Sequence, residues 1–222
     1  MKTITNSLKK GIILAVSIFI LININVFSYV LNNGSGTVYT EGTSNGIGIS
    51  NISIEMMIIE GSGYFFKAQA DIQSFLNIIE WQDTRVINYI DLNQVIKSAL
   101  NHMIMARSNF EELIKAAEST PYNLEVIDRL KEFDYDSFMK ENNLNPYVFN
   151  IVKEFLMKGD ITGTFKYTNE KFKEIEKAII KIQEEVSANR MPGVSMCWSL
   201  NELCAETTLF GSYIARIFKN IK

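Results

Sequence analysis

The chain has one histidine, His102, and any catalytic site that uses a histidine as its base must be built around this residue. His102 precedes Met103, which falls on an apolar helical pattern, so we place it at the edge of a buried helix face. No Glu-x-x-His pair accompanies it, and the di-iron sites of helical bundles therefore lack their ligands here. We interpret His102 as a structural histidine and keep a metal or catalytic role as the alternative.

The two cysteines, Cys197 and Cys204, allow three kinds of chemistry. In a continuous helix their Cα atoms lie about 10.5 Å apart, too far for a disulfide bond. Ser199 and Glu202 match a capping box, and a helix that begins there leaves Cys197 in a loop that can reach Cys204. The main interpretation is two buried free thiols. The alternatives are a disulfide within or between chains, which an export compartment favours, and a metal site that uses Cys197, Cys204 and His102.

The sequence offers little support for a cofactor. Its nine methionines are soft ligands that suit monovalent copper, but Met103 and Met196 fall on apolar helical positions, where methionine commonly fills gaps in a core. The Cys-x-x-Cys-His motif that attaches haem is absent. We therefore predict no cofactor, and we assign no catalytic residue.

The first 28 residues have the pattern of an export signal. Three lysines precede an uncharged, strongly apolar run over residues 11–31. Cleavage after Ser28 is the main prediction. An uncleaved anchor over 11–31 is the alternative, because the run reaches the length of about 20 residues that spans a membrane. Both predictions place the rest of the chain outside the cytoplasm, in the periplasm or the extracellular space.

The composition divides the remaining chain into a linker and one domain. Residues 29–51 are rich in Gly, Ser, Thr and Asn and carry a single charge, Glu41, which is typical of a flexible linker. Residues 52–222 are long enough for one domain with a core. The formal net charge is -3, and basic residues alternate with acidic ones. This balance argues against a nucleic-acid partner, which requires clustered Lys and Arg.

Four apolar seams with alternating steps of three and four residues predict four long helices that pack lengthwise. The seams are Ile58, Gly61, Phe65, Ala68, Ile72, Phe75 and Ile79; Leu92, Ile96, Ala99, Met103, Ala106, Phe110, Leu113 and Ala117; Thr168, Phe172, Ile175, Ile179, Ile182 and Val186; and Met196, Leu200, Leu203, Thr207, Phe210, Ile214, Ile217 and Ile221. Gly61 and Ala68 are small enough to let a neighbouring backbone or aromatic ring come close. We predict an all-α, antiparallel four-helix bundle with coiled-coil-like packing.

Turn and capping residues predict where these helices begin and end. Asp91 is predicted to cap the second long helix, and residues 119–159 are predicted to form one or two short helices between the second and third. The signals within that stretch and after it are the helix starts Thr120-Pro121 and Asn145-Pro146, the stop Gly159, and the turn Met191-Pro192-Gly193.

These features favour a non-enzymatic, exported envelope protein whose bundle binds an unknown protein partner or associates with itself. The leader provides a membrane tether if it is not cleaved. The alternative is that the bundle core binds a metal or a small apolar ligand, with Phe65, Phe110, Phe172 and Phe210 lining the pocket. A third hypothesis, an enzyme, requires a carboxylate or a cysteine within hydrogen-bond reach of His102.

Overall fold

The computed structural model describes residues 54–81 and 88–221, which form seven α-helices and no β-strand within those ranges. The helices are α1 (Ile54–Trp81), α2 (Tyr89–Ser119), α3 (Leu124–Glu132), α4 (Tyr135–Glu141), α5 (Pro146–Met157), α6 (Ile161–Ser187) and α7 (Val194–Asn220). The predicted all-α class is confirmed. The predicted leader (1–28) and linker (29–51) lie outside the described residues. None of the described helices is both long and apolar enough to cross a membrane.

The four long helices, α1, α2, α6 and α7, pack against one another in chain order. Ser187 near the end of α6 donates a hydrogen bond to Asn93 near the start of α2, so these two helices are antiparallel. Helix α7 follows α6 after a tight turn and also meets α1, though more sparsely. The short helix α5 packs on α7 and on α3, and α4 packs on α5. One continuous apolar core connects all seven helices.

The buried residues of α1, α2 and α6 follow the predicted seams. Every position of the α2 seam is buried, and the α1 and α6 seams are buried except for Ile79 and Thr168, which are half-buried. Residues outside these seams are also buried, among them Phe66 on α1 and Thr164 on α6, because each of these two helices meets more than one other helix.

The buried face of α7 is wider than its predicted seam. Cys197 and Cys204 are buried, while the predicted core positions Met196 and Leu203 are only half-buried. Helix α7 is covered by α1, α5 and α6, so residues on more than one of its faces are buried. The predicted seam was correct for positions such as Leu200 but left out the two cysteines, whose burial as free thiols was predicted separately and is confirmed.

The predicted helix start at Asn145-Pro146 and the predicted stop at Gly159 are confirmed, and the predicted turn before α7 is displaced. Asn145 caps α5, its side chain accepts hydrogen bonds from the backbone amides of Tyr147 and Val148, and Pro146 is the first helical residue. Gly159, with φ of +68°, follows the end of α5. Residues 191–193 lie in the connection from α6 to α7, but the turn itself is formed by Ala188 and Asn189, with a φ of +55° at Asn189.

Three predicted boundaries need correction. Helix α2 is capped by Asn88, whose Oδ1 accepts from the amides of Ile90 and Asp91, so Asp91 lies inside the first turn. Thr120 starts no helix; it ends α2, and its hydroxyl donates to the carbonyl of Ala116. The stretch 119–159 contains three short helices instead of one or two, because Asn123 and Asp134 both act as caps.

Candidate functional site

An apolar cavity of about 50 Å³ lies where the four long helices converge, and it is partly open to solvent. A water molecule needs about 10–15 Å³ of such space, so the cavity holds roughly three to five water-sized groups. No charged side chain is among the described residues that line it. Charged molecules are therefore disfavoured as occupants, because their burial would not be compensated.

Aromatic rings form part of the wall of the cavity. The ring of Phe172 lies 4.9 Å, centroid to centroid, from both Phe65 and Phe110. These three residues are among the four phenylalanines predicted to line a pocket, and all three line it. The fourth, Phe210, packs instead between Tyr167 and Phe155 at centroid distances of 4.5 and 6.3 Å. It lies in the core but does not line the cavity.

Gly61 allows α1 and α2 to pack closely beside the cavity. The ring of Phe110 lies so near Gly61 that a Cβ added there would be 2.8 Å from Cδ2 of the ring. The predicted close approach of an aromatic ring at Gly61 is therefore confirmed.

The polar atoms of the cavity are mainly threonine hydroxyls. Buried Thr164 and Thr207 donate to the carbonyls of Ile161 and Leu203 on their own helices, at 2.6 and 2.7 Å. A threonine hydroxyl has one hydrogen and two lone pairs. Because the hydrogen is already used within the helix, the remaining hydrogen-bonding capacity of these two oxygens is as acceptors.

His102 lies at the surface between α1 and α2 and is paired with a carboxylate. Its Nδ1 is 2.9 Å from Oδ2 of Asp71, and the side chains of His102 and Asp71 are 31% and 27% exposed. The ring of Tyr64 stacks on the imidazole with centroids 6.4 Å apart, and the Lys67 ammonium lies over the ring of Tyr64. The Asp71 carboxylate can fix the orientation of the imidazole, as the third group of a catalytic triad does.

This pair meets one requirement of the enzyme hypothesis, a carboxylate within hydrogen-bond reach of His102. Within the described ranges no hydroxyl or thiol hydrogen-bonds to the imidazole. The arrangement therefore provides a base and its orienting group without a nucleophile. The sequence did not indicate the partner, because nothing in it brings Asp71 on α1 next to His102 on α2.

The two cysteines are free thiols within α7. The helix begins at Val194, before both of them, and not at Ser199 as the disulfide within the chain requires. Burial raises the pKa of the Cys197 thiol and raises that of Cys204 to about 12. Both thiols are therefore protonated and unreactive near neutral pH.

No metal centre is formed by the candidate ligands in the described part of the chain. Over residues 54–81 and 88–221, no three side chains of His, Cys, Asp or Glu are placed to hold one ion. The structure does not bring His102 together with the cysteines in such a group.

Two polar networks connect the long helices. Arg107 on α2 donates from Nε to Glu176 on α6 at 2.7 Å and from Nη1 to Glu111 at 2.6 Å. On the opposite side of α6, the hydroxyl of Tyr167 donates to Glu206 of α7 at 2.8 Å. Burial and the Glu206 carboxylate raise the pKa of Tyr167, which keeps its hydroxyl protonated and able to donate. We interpret both networks as structural.

An apolar pair is exposed at the start of α7. Val194 is 72% exposed and Trp198 is 61% exposed, and their spacing of four residues places them on adjacent turns of one helix face. Trp198 was not among the residues predicted to bind a partner. The available signal was that this large aromatic residue falls outside the predicted α7 seam.

The chain matches no protein-family model, no curated protein and no solved structure. Fold and geometry alone define its class. It is an all-helical protein whose long helices line a small, neutral cavity, with an Asp–His pair and an exposed tryptophan on its surface.

Proposed function

We propose that the chain is an exported, non-enzymatic protein whose helices form an antiparallel four-helix bundle that binds another protein or a second copy of itself. The observation that carries the proposal is the exposure of Trp198 beside Val194. Tryptophan is enriched among the few interface residues that contribute most of the binding free energy, because it buries a large area with few rotatable bonds. An exposed tryptophan with an apolar neighbour is therefore the best candidate contact.

A substitution at Trp198 tests the proposed contact. Because the side chain is largely exposed, Trp198→Ala should change the free energy of unfolding by less than about 0.5 kcal/mol while weakening association by tenfold or more. The matched control is Leu124→Ala, since Leu124 is another apolar residue, 76% exposed, on a different helix. Analytical ultracentrifugation and co-purification measure the association. Equal association of both variants and the unchanged protein would contradict the role of Trp198.

Export is the second part of the proposal, and it rests on the composition of residues 1–28 and 11–31. The intact mass of the protein isolated from its source should correspond to a chain that begins at Tyr29. A chain that keeps the leader and fractionates with membranes would support the anchor instead. Full-length protein in the cytoplasm would contradict both.

A second candidate function is the binding of a small ligand, and the cavity between the long helices favours it. The lining by Phe65, Phe110 and Phe172, without a charged group, matches the mainly apolar character of ligand sites. Native mass spectrometry of the protein from its source tests this function. Added mass that is lost on denaturation would support it, whereas failure to take up any neutral apolar probe would contradict it.

A further inference from the structure

Most hydroxyl groups that line the cavity can accept a hydrogen bond but have no hydrogen left to donate. Thr164 on α6 and Thr207 on α7 are both buried at its wall, and each spends its only hydrogen on a carbonyl of its own helix. Thr168 does the same, donating to the carbonyl of Thr164 at 2.9 Å. These three hydroxyls therefore have lone pairs but no hydrogen to offer a ligand, and buried Ser62 on α1 adds a lining hydroxyl that can both donate and accept.

We propose that the cavity selects a small neutral molecule with an apolar body and one hydroxyl group, whose hydrogen is donated to Thr164 or Thr207. The inference rests on the second candidate function, ligand binding, and adds the chemistry of the ligand. The aromatic wall receives the apolar body. The absence of charge among the lining residues rejects carboxylates and ammonium groups, which would be desolvated without a partner.

The volume sets the size of the ligand. The cavity of about 50 Å³ holds roughly three to five water-sized groups, so a molecule of about five non-hydrogen atoms fits. 1-Butanol has this size and carries one donor. 1-Chlorobutane has nearly the same shape and no donor, and butyrate carries a charge. These three molecules are the probes.

Helices α1 and α7 both line the cavity. These two helices meet more sparsely than the other neighbouring pairs of long helices. Gln69 connects them through Nε2, which donates to Oγ1 of Thr208 at 2.7 Å and to the carbonyl of Cys204 at 3.2 Å. Thr208 lines the cavity, and because its oxygen already accepts from Gln69, we assign the ligand's hydroxyl to Thr164 or Thr207 instead.

The experiment uses the full chain and follows the methyl resonances of Ile58, Ile161 and Ile214, which line the cavity, during titration with each probe. 1-Butanol should shift these resonances and bind about threefold to tenfold more tightly than 1-chlorobutane, the effect of one net hydrogen bond. Butyrate should not shift them. Equal affinity for 1-butanol and 1-chlorobutane would overturn the proposed selectivity while leaving ligand binding intact. If no probe shifts the resonances, ligand binding itself is wrong.

A double variant, Thr164→Val with Thr207→Val, keeps the side-chain shape and removes both acceptors. It should lose most of the preference for 1-butanol over 1-chlorobutane, although Ser62 and Thr168 still line the cavity. Continued binding of 1-chlorobutane shows that the cavity persists. The control is Thr120→Val, because Thr120 also donates to a carbonyl of its own helix but does not line the cavity. This control should keep the preference for 1-butanol. If the double variant prefers 1-butanol over 1-chlorobutane as strongly as the unchanged protein does, the assignment to Thr164 and Thr207 is overturned. If that variant does not fold, the comparison of probes on the unchanged protein decides.

Discussion

The ring of Phe110 on α2 lies directly against Gly61 on α1, where a Cβ would be 2.8 Å from Cδ2 and 2.9 Å from Cε2. Phe110 is held on its other sides by Phe165 and Phe172, with centroids 6.4 and 4.9 Å away. The ring therefore cannot move aside without disturbing the aromatic wall of the cavity. The absence of a side chain at 61 allows α1 and α2 to approach closely beside the cavity.

Replacement of Gly61 by alanine should destabilise the protein. Overpacking typically costs about 1–3 kcal/mol, which outweighs or offsets the gain of about 1 kcal/mol in helix propensity. The control is Gly63→Ala in the same helix, where an added Cβ has no neighbour within 4 Å. That variant should be stabilised by about 0.5–1 kcal/mol. Chemical denaturation measures both, and equal stabilisation by the two substitutions would contradict the close contact with Phe110.

The ion pair between Arg107 and Glu176 should contribute measurably to stability, because their side chains are only 25% and 19% exposed. We expect Arg107→Met, which keeps the aliphatic stem, to lower the free energy of unfolding by about 1.5–3 kcal/mol. The exposed pair of Lys173 with Glu170 is the control, and Lys173→Met should cost less than about 1 kcal/mol. Urea denaturation compares the variants. If both substitutions lower the free energy of unfolding equally, the ion pair between α2 and α6 contributes no more to stability than an exposed pair.

The buried thiol of Cys204 should make stability decrease at high pH. Its pKa is about 12 in the folded protein and near 9.0 when unfolded, so above pH 9 the unfolded chain loses a proton that the folded chain keeps. The unfolded state is thereby favoured, and the free energy of unfolding falls by up to about 1.4 kcal/mol per pH unit between pH 9 and 12. Below pH 9 the effect is absent.

The comparison of unchanged protein with Cys204→Ala isolates this contribution, since other groups that titrate above pH 9 are common to both. Denaturation at pH 8, 9, 10 and 11 should give a shallower decline for the variant. The folded protein should also react slowly with iodoacetamide at pH 8, because both thiols are protonated and buried. Parallel declines with pH, or rapid alkylation in the folded state, would contradict the buried position of Cys204.

The sequence predicts the main packing stripes of α1, α2 and α6 residue by residue. Phe65, Phe110 and Phe172 were recognised as pocket-lining residues from their spacing and from the small residue Gly61, and the structure confirms them. Phe210 was not distinguished from them, because its position depends on α5 covering α7. The periodicity of one helix does not report how many neighbours cover it.

The polar pairs and the boundaries were harder to predict. The contact of Asp71 with His102 depends on the relative position of α1 and α2 along their axes. Neither helix specifies this position alone. Asp91 and Asn88 are both good capping residues, and the choice of Asn88 depends on which residue keeps an extended backbone conformation. Such choices are made by packing in three dimensions and are not visible in local spacing.

The most direct test of protein binding is site-specific photo-crosslinking from position 198 in cells that make the protein. A photoreactive aromatic residue in place of Trp198 stays near the size of the original side chain, and the same residue at exposed Leu124 is the control. We predict one discrete crosslinked species from position 198, either with a single partner protein or with a second copy of the chain, and none from position 124. Crosslinking that is absent at 198, or equal and diffuse at both positions, would contradict the proposal that this surface binds protein.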